Sequence, residues 1–471
     1  MSKTLYYGDN LSTLKVFETE SVDLIYLDPP YNSKRIYNCS FGGNAQAKAF
    51  DDNWRWDSDQ DLWLEEIREH QAKVWSYLDS LLRIFKRKDG LPAYLVALSV
   101  RLVELHRVLK QTGSLYLHVD PTASHYVKIA MDQIFGGDMF RNEIVWTYAT
   151  GGASKRFYAK KHDTILFYTK SDKYTFNSDC IREPRTEKSL RRAQNPKGAR
   201  ITSQNTDKLP TDVFQVQALN PMAIERMGYP TQKPVALLER IVLASSNVGD
   251  LVLDPYMGSG TTIEVAERNN RNWIGLDITH HAVACTNSRL SDRCGLSDDS
   301  YQIIGVPADI DSAIHLWNTD PIQFEAWAIL NVRAFPHQTS NDHLIGLRPF
   351  NDIKDSRILE SAAVYVVSQD HIPSYTDLSK LKTYMSEHSA SIGYLISFGA
   401  CPSALVEAMS ESGVVYQNNG SRQYPTIQHI TIKDIIENPA SAQNFFCLQR
   451  NEHQVKILDD VEQEDLFQNL Y

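Results

Sequence analysis

Four apolar runs in this chain read as buried strands, and each meets an aspartate at or just past its end. They are "VDLIYLDPP" (22–30), "GSLYLHVDP" (113–121), "DLVLDPYMGSG" (250–260) and "NWIGLDI" (272–278). Helical patterns lie between them. Residues 61–86 place Leu62, Trp63, Ile67, Val74, Leu78, Leu81 and Leu82 at mostly three- and four-residue spacing, which predicts a helix. "AYLVALSVRLVELHRVLK" (93–110) predicts a second, stopped at Gly113, and 122–135 a third that ends at Gly136-Gly137. Strands alternating with helices imply a mainly parallel α/β sheet covered on both faces.

The first run ends in Asp28-Pro29-Pro30-Tyr31. A stiff turn would explain the prolines, since Pro cannot continue a ladder. The local chemistry supports more. The Asp28 carboxylate and the Pro29 carbonyl are both acceptors, and proline offers no competing N–H. Together they suit an exocyclic amino group, held by both its hydrogens, with Tyr31 stacked on the attached ring. A base presented in that way must leave its duplex, where the amino group is otherwise paired.

In "VLDPYMGSGTT" (252–262) a strand runs into Gly258-Ser259-Gly260, and Thr261-Thr262 opens a helix. Glycines there let backbone N–H groups approach a ligand, and the helix N-terminus favours an anionic group. The next strand ends at Asp277, a position suited to ribose hydroxyls at the carboxyl edge of a sheet. The pattern is neither GxGxxG nor GxxxxGK[ST], so a pyrophosphate dinucleotide and a P-loop nucleotide are disfavoured. A nucleoside with a small charged tail fits better.

Taken in order, "GDN" (8–10), "LDPPYNS" (27–33), "YPTQKP" (229–234) and "LDPYMGSGTT" (253–262) resemble the amino-methylating DNA methyltransferases that use S-adenosylmethionine. The order matches their beta class, which includes type III modification subunits, and the resemblance covers roughly residues 3–291. It implies a Rossmann-like S-adenosylmethionine-dependent methyltransferase sheet over 1–296, interrupted at about 140–228 by a target-recognition insertion. It also implies that Asp28, Pro29, Pro30 and Tyr31 form the catalytic loop. Asp9 would lie near the cofactor–substrate junction. Asp254, Gly258, Gly260, Thr261 and Thr262 would surround the methionine end, Asp277 would meet the ribose, and Lys233 would help close the cofactor pocket. His118 and Asp120 resemble a recurrent family element and are read as structural. The reaction implied is direct attack of the base nitrogen on the sulfonium methyl, with no metal. Adenine N6 is the expected target. Cytosine N4 and a non-catalytic DNA-binding subunit are the alternatives, and Asp rather than Ser at position 28 favours adenine.

Charge distribution supplies the partner. The chain is acidic overall, at −10, yet residues 141–208 hold 15 Lys and Arg against 7 Asp and Glu. The stretch 149–210 has little apolar periodicity apart from "HDTILFYTK" (162–170) and reads as an insertion built for contact rather than core. Lys155, Arg156, Lys160, Lys161, Arg191, Arg192, Lys197 and Arg200 are its candidate phosphate contacts on double-stranded DNA. Trp54 and Trp56 are read equally as nucleotide-stacking or sheet-packing residues. A restriction or defence-system subunit and a second copy of the chain are further expected partners.

From Ser297 onward the balance reverses, with 23 acidic residues against 10 basic. Residues 297–317 are read as a linker. Residues 318–471 resemble, over about 318–440, a restriction-endonuclease-like domain of the Mrr type. Glu325 keeps one acidic position of that family, but Arg348 and Gln369 stand where an Asp and a Lys are expected. The resemblance therefore implies a degenerate smaller α/β domain for binding or assembly. The six scattered cysteines form no CxxC pair, and the N-terminus has no apolar h-region, so a reduced cytoplasmic protein without a membrane segment is expected.

Overall fold

A computed structural model describes residues 3–32, 36–40, 46–86, 89–149, 155–187, 190, 207–220, 222–338, 343–351, 359–417 and 422–437. The chain divides into two compact units, the first comprising Met1–Cys39 and Ala49–Gly305 and the second Ser40–Lys48 and Val306–Tyr471.

The sheet of the first unit is formed by β1 (Thr4–Tyr7), β2 (Val22–Leu27), β3 (Leu109–Val119), β4 (Phe140–Thr147), β5 (His162–Thr169), β6 (Val213–Phe214), β7 (Leu251–Asp254), β8 (Asn272–Asp277) and β9 (Gln302–Ile304). Their order is β6-β4-β5-β3-β2-β7-β8-β1-β9. From β3 across to β9 every pairing is parallel, with Leu27 opposite Leu117, Asp254 opposite Gly275 and Tyr7 opposite Asp277. The carboxyl ends of β3, β2, β7, β8 and β1 therefore lie along one edge. β2 and β7 are neighbours, but the chain leaves β2 toward β3 and leaves β7 toward β8. At such a divergence a ligand crevice opens.

Helices cover the sheet: α1 (Asn10–Lys15), α2 (Ser58–His70), α3 (Ala72–Ile84), α4 (Gly90–Val108), α5 (Ser124–Phe135), α6 (Val235–Ser245), α7 (Thr261–Arg268) and α8 (His280–Cys294). The apolar run from Ala93 to Leu98 is wholly buried in α4, which packs with Leu64, Ile67, Val74 and Leu78 of α2 and α3 against the strands.

Three details differ from the sequence reading. The 61–86 pattern is two helices, broken where Gln71 leaves helical geometry at φ −134° and ψ 64°. α4 ends at Val108 and passes directly into β3, so Gly113 lies inside a strand and does not stop a helix. "HDTILFYTK" is not contact surface. It forms β5, paired antiparallel with both β3 and β4, and Ile165 to Tyr168 are buried on both faces. Its basic flanks obscure a strand whose apolar run is complete.

The second unit holds a sheet of β10 (Phe335–Gln338), β11 (Leu344–Asn351), β12 (Leu359–Val366), β13 (Ile392–Ser397) and β14 (Ile427–Thr431), in that order. The first three run antiparallel and the last three parallel. α9 (Ile310–Thr319), α10 (Pro321–Asn331), α11 (Tyr375–Glu387), α12 (Ser403–Ser410) and α13 (Ile432–Glu437) accompany it. The stretch read as a linker thus carries β9, which pairs with β1, and α9, whose Ala313 joins the second core. Among the described residues no helix is long and apolar enough to cross a membrane.

Candidate active site

β2 delivers Asp28 to the carboxyl edge, and the two prolines hold the chain extended into Tyr31. The loop is clamped from behind by Asp52, which is fully buried. Its carboxylate accepts the Tyr31 N–H at 3.2 Å, the Asn32 N–H at 2.7 Å and the Trp54 indole N–H at 3.2 Å. Asn32 takes a left-handed φ of 59°, a conformation that Asn tolerates better than most residues. Trp54 lies edge-on to Tyr94, and Trp56 donates to Asp61 at 3.1 Å, so both half-buried rings have partners within the chain.

Both oxygens of Asp28 are taken. Oδ1 accepts the Tyr31 hydroxyl and Oδ2 the Lys233 ammonium. Lys233 reaches this position from the loop before α6. There Thr231 holds a φ of 60°, unusual for a β-branched residue, and the Gln232 amide closes the loop on Met227 N and the Glu225 carbonyl. Lys233 is buried, with its ammonium also 3.1 Å from the Tyr31 hydroxyl.

A layer of polar and aromatic groups backs Tyr31. The fully buried His118 ring stacks on it at 6.1 Å and meets Trp146 edge-on at 5.5 Å. Its Nδ1 pairs with the Tyr26 hydroxyl at 2.9 Å, and its Nε2 with Asp163 at 3.4 Å. The Tyr148 hydroxyl donates to the other Asp163 oxygen at 3.2 Å. Burial, and then the nearby Lys233 charge, hold His118 below the usual imidazole range. It is therefore a neutral ring that accepts from Tyr26 and donates to Asp163. Burial alone would raise the Asp163 carboxyl, but the bond from His118 and the charge of Lys233 bring it below its ordinary value. Burial and then Asp28 push the Tyr31 phenol well up, so it stays protonated and can donate. Asp120 caps the turn before α5 through Thr122 N and Oγ1, at 2.9 and 2.8 Å.

In front of this layer is a cavity of about 270 Å³. Tyr31, Trp146, Tyr148 and Tyr229 give it aromatic walls, and Asp163, Arg226 and Lys233 its charged groups. Apart from Tyr31, Lys233 and Tyr229, which opens the "YPTQKP" motif, sequence reasoning singled out none of these as site residues, nor Asp52. The available signal was the aromatic-rich end of β4, "IVWTY".

The neighbouring strand ends build a second cradle. Gly258 and Gly260 have φ of 50° and 74°, and a Cβ on Gly260 would come within 2.5 Å of Thr286 Oγ1. The turn is tied to β8 by Gly258 N–H donating to Asp277 at 3.0 Å, while the other Asp277 oxygen accepts Thr279 N and Oγ1 at 2.9 Å. Much of the acceptor capacity expected to meet ribose is thus engaged in holding the turn. Asp254 is buried, accepts Tyr256 N at 3.0 Å and is bonded by Thr262; burial pushes its carboxyl up to about 7. Thr261 starts α7, and its hydroxyl donates to the Lys233 carbonyl at 3.2 Å. Asp9 caps α1 through Leu11 N at 2.9 Å and pairs with Arg101 at 2.6 Å. At Gly8, with φ 136°, a Cβ would meet nothing within 4 Å. Open space beside Gly8, the tight glycine turn and the start of α7 together fit a nucleoside carrying a charged tail.

Of the candidate phosphate contacts, Lys155, Arg156 and Lys160 are exposed on the β4–β5 connection. Lys161 is half-buried and donates to the Ala149 carbonyl at 3.1 Å. Phe157 and Tyr158, between those cations, are exposed too. Arg191, Arg192, Lys197 and Arg200 lie outside the described residues. In the second unit Glu325 is buried in α10 and accepts Leu344 N at 2.7 Å and pairs with His343 Nδ1 at 2.8 Å. Arg348 is buried and donates to the Val332 carbonyl at 3.2 Å, and Gln369 lies in the turn after β12.

Residues 22–288 match the profile of a protein family described as DNA methylase. The chain is 32% identical over 291 residues to the DNA adenine methyltransferase YhdJ of Escherichia coli K12, covering 61% of this chain and 83% of that protein. It is 33% identical over 316 residues to the type II methyltransferase M.HpaI of Haemophilus parainfluenzae, covering 67% and 82%. Among solved structures it is similar to a DNA modification methylase from Thermus thermophilus in complex with S-adenosyl-L-methionine, at 19% identity and a TM-score of 0.35, over 65% of this chain and 99% of that one.

Proposed function

The chain belongs to the DNA methylase family, and from that premise we propose that it methylates the N6 amine of an adenine flipped out of double-stranded DNA. It is an S-adenosylmethionine-dependent DNA methyltransferase. The amine target rests on one observation: Asp28, followed by the Pro29 carbonyl, is bonded to Tyr31 and Lys233, which both line the aromatic-walled cavity. Asp rather than Ser at position 28 favours adenine over cytosine. The curated relative YhdJ, named as a DNA adenine methyltransferase, supports the choice of base.

Asp254, Gly258, Gly260, Thr261 and Thr262 would hold the amino-acid end of the cofactor, with Asp277 at the ribose and Asp9 near the cofactor–substrate junction. When bound, S-adenosylmethionine supplies an electrophilic methyl group on a sulfonium, which departs as a neutral thioether. The residues of this chain prepare the nitrogen. The amine lone pair is delocalised into the ring, and hydrogen bonds to Asp28 and the Pro29 carbonyl favour the pyramidal nitrogen of the transition state over the flat ground state. Tyr31 stacks on the base, and the Asp28 carboxylate takes the proton that the methylated nitrogen sheds. Holding both reactants at one sheet edge supplies much of the remaining rate.

Lys155, Arg156 and Lys160, with Arg191, Arg192, Lys197 and Arg200, are assigned to the DNA phosphates, and Phe157 and Tyr158 to the bases they flank. The second unit is assigned to binding or assembly within a cytoplasmic restriction or defence system, as a partner subunit or a second copy of the chain. Nucleoside analysis of DNA from cells expressing the protein tests the reading. N6-methyldeoxyadenosine is expected, and N4-methyldeoxycytidine or unmodified DNA would refute the adenine assignment.

A further inference from the structure

Lys233 touches two loops at once. Its backbone carbonyl accepts the Thr261 hydroxyl at the start of α7, while its ammonium lies on Asp28 and 3.1 Å from the Tyr31 hydroxyl. The family resemblance implies that its side chain helps close the cofactor pocket, but that side chain turns to the target-base loop instead. Each Asp28 oxygen already accepts one bond, Oδ1 from Tyr31 and Oδ2 from Lys233. Each keeps a second lone pair, so a target amine competes with these donors for a carboxylate whose orientation they set. The Tyr31 hydroxyl is the neutral one, three residues away, on a ring that must stack on the incoming base. The ammonium is charged, buried, and further held by the Thr231 carbonyl at 3.4 Å. Both bonds end on the carboxylate, but only the ammonium adds an opposite charge to its hydrogen bond, so it is the harder donor to displace.

We propose that Lys233 is a positioning residue for methyl transfer, fixing the Asp28 carboxylate through Oδ2 so that Oδ1 is presented to the target amine in exchange for the Tyr31 hydroxyl. Lys233 remains an ammonium throughout, and the proton released by the nitrogen goes to Oδ1. Without the ammonium the carboxylate is free to rotate about its side-chain bond, and the acceptor the amine needs is no longer held in one place. The inference rests on the methyltransferase reading.

The test compares Lys233→Met and Lys233→Arg with the wild type, using radiolabelled methyl transfer into DNA for kcat and KM and calorimetry for S-adenosylmethionine affinity. Lys233→Met is expected to lower kcat by about 10²-fold or more and to leave the cofactor Kd within about threefold of wild type. Lys233→Arg, which keeps the charge, is expected to recover at least about tenfold of that loss. Should Lys233→Met fail to fold, Lys233→Gln carries the same kcat-against-Kd split. A cofactor Kd weakened about tenfold or more, with kcat at saturating cofactor near wild type, would overturn the proposal and return Lys233 to the cofactor pocket. A wild-type protein that binds cofactor but methylates no DNA would refute the functional reading instead.

Discussion

Asp28 and Glu325 are both screened carboxylates, one in each unit; the sequence marks Asp28 as catalytic and Glu325 as the one acidic position that a degenerate domain keeps. Their partners differ in kind. Asp28 is satisfied by a tyrosine hydroxyl and a lysine ammonium, groups at the ends of side chains that can swing away. Glu325 is satisfied by the amide of Leu344, where β11 begins, and by the neighbouring His343. A backbone amide at the start of a strand cannot leave without unpicking the strand. Burial raises the Glu325 carboxyl, while the Leu344 amide and His343 pull the other way. A buried acid is available to a substrate only when its resting partners can be exchanged. On that criterion the catalytic role proposed for Asp28 suits its partners, while Glu325 is a rivet.

The largest effect that tests the contrast is the loss of Asp28. Asp28→Ala should reduce methyl transfer by about 10³-fold, because the lost acceptor acts on the transition state, while cofactor affinity survives. Glu325→Ala in the same assay should transfer methyl groups at the wild-type rate. If Asp28→Ala keeps full activity, the Asp28–Tyr31 loop is not where the nitrogen is activated, and the contrast collapses.

Asp254 lies between the two cases, at the same sheet edge as Asp28 but with partners internal to its own turn. Its carboxyl is pushed up from 3.8 to about 7 by burial. Between those values the folded chain holds a proton that the unfolded chain has lost. The stability tied to this group is therefore complete below about pH 4 and disappears as pH rises through about 7. Denaturant midpoints should fall between about pH 5.5 and about pH 8, and Asp254→Asn should flatten that fall. A profile unchanged by Asp254→Asn would mean that Asp254 is solvated like an ordinary carboxylate.

The acidic strand ends were legible because each combines two local signals, an apolar run and the aspartate that stops it. Asp28, Asp254 and Asp277 could each be placed at a strand end from that pattern alone. What could not be read is what meets across the fold. Asp52 clamps a loop some twenty residues earlier, and Asp163 reaches His118 only because β5 runs antiparallel to β3, with His118 opposite Ile165. Neither pairing has a periodicity. The cations around β5 also drew attention away from a strand with both faces covered. Lys233 was found by motif, but its partner depends on a left-handed Thr231 and a Gln232 bracket that spacing does not encode.

A smaller effect tests the rivet. Glu325→Ala leaves the buried Leu344 amide without its acceptor, at a cost of about 1–3 kcal/mol. Denaturation of the full chain should show this as a lower midpoint, while DNA incubated with Mg²⁺ remains uncut by wild type and variant alike. Cleavage by wild type that disappears in Glu325→Ala would make Glu325 a catalytic acid and reverse the comparison.

The smallest effect carries the contrast to the surface. Residues 141–208 have a net charge of +8 and residues 297–471 a net charge of −13, so phosphate contacts should concentrate in the first region. Lys155, Arg156 and Lys160 are exposed there, beside the exposed rings of Phe157 and Tyr158. Each phosphate neutralised by a side chain releases counterion, which adds about 0.9 to the slope of log K against log salt concentration. Lys155→Ala and Lys160→Ala should each flatten that slope by about 1 and weaken binding evenly across DNA sequences, because phosphate contacts carry no sequence information. Alanine in place of Lys380 or Lys433 in the second unit should leave the slope where it is. If the second-unit changes flatten it and the first-unit changes do not, the acidic region holds the DNA by a local basic patch, and net charge is the wrong guide to which unit binds.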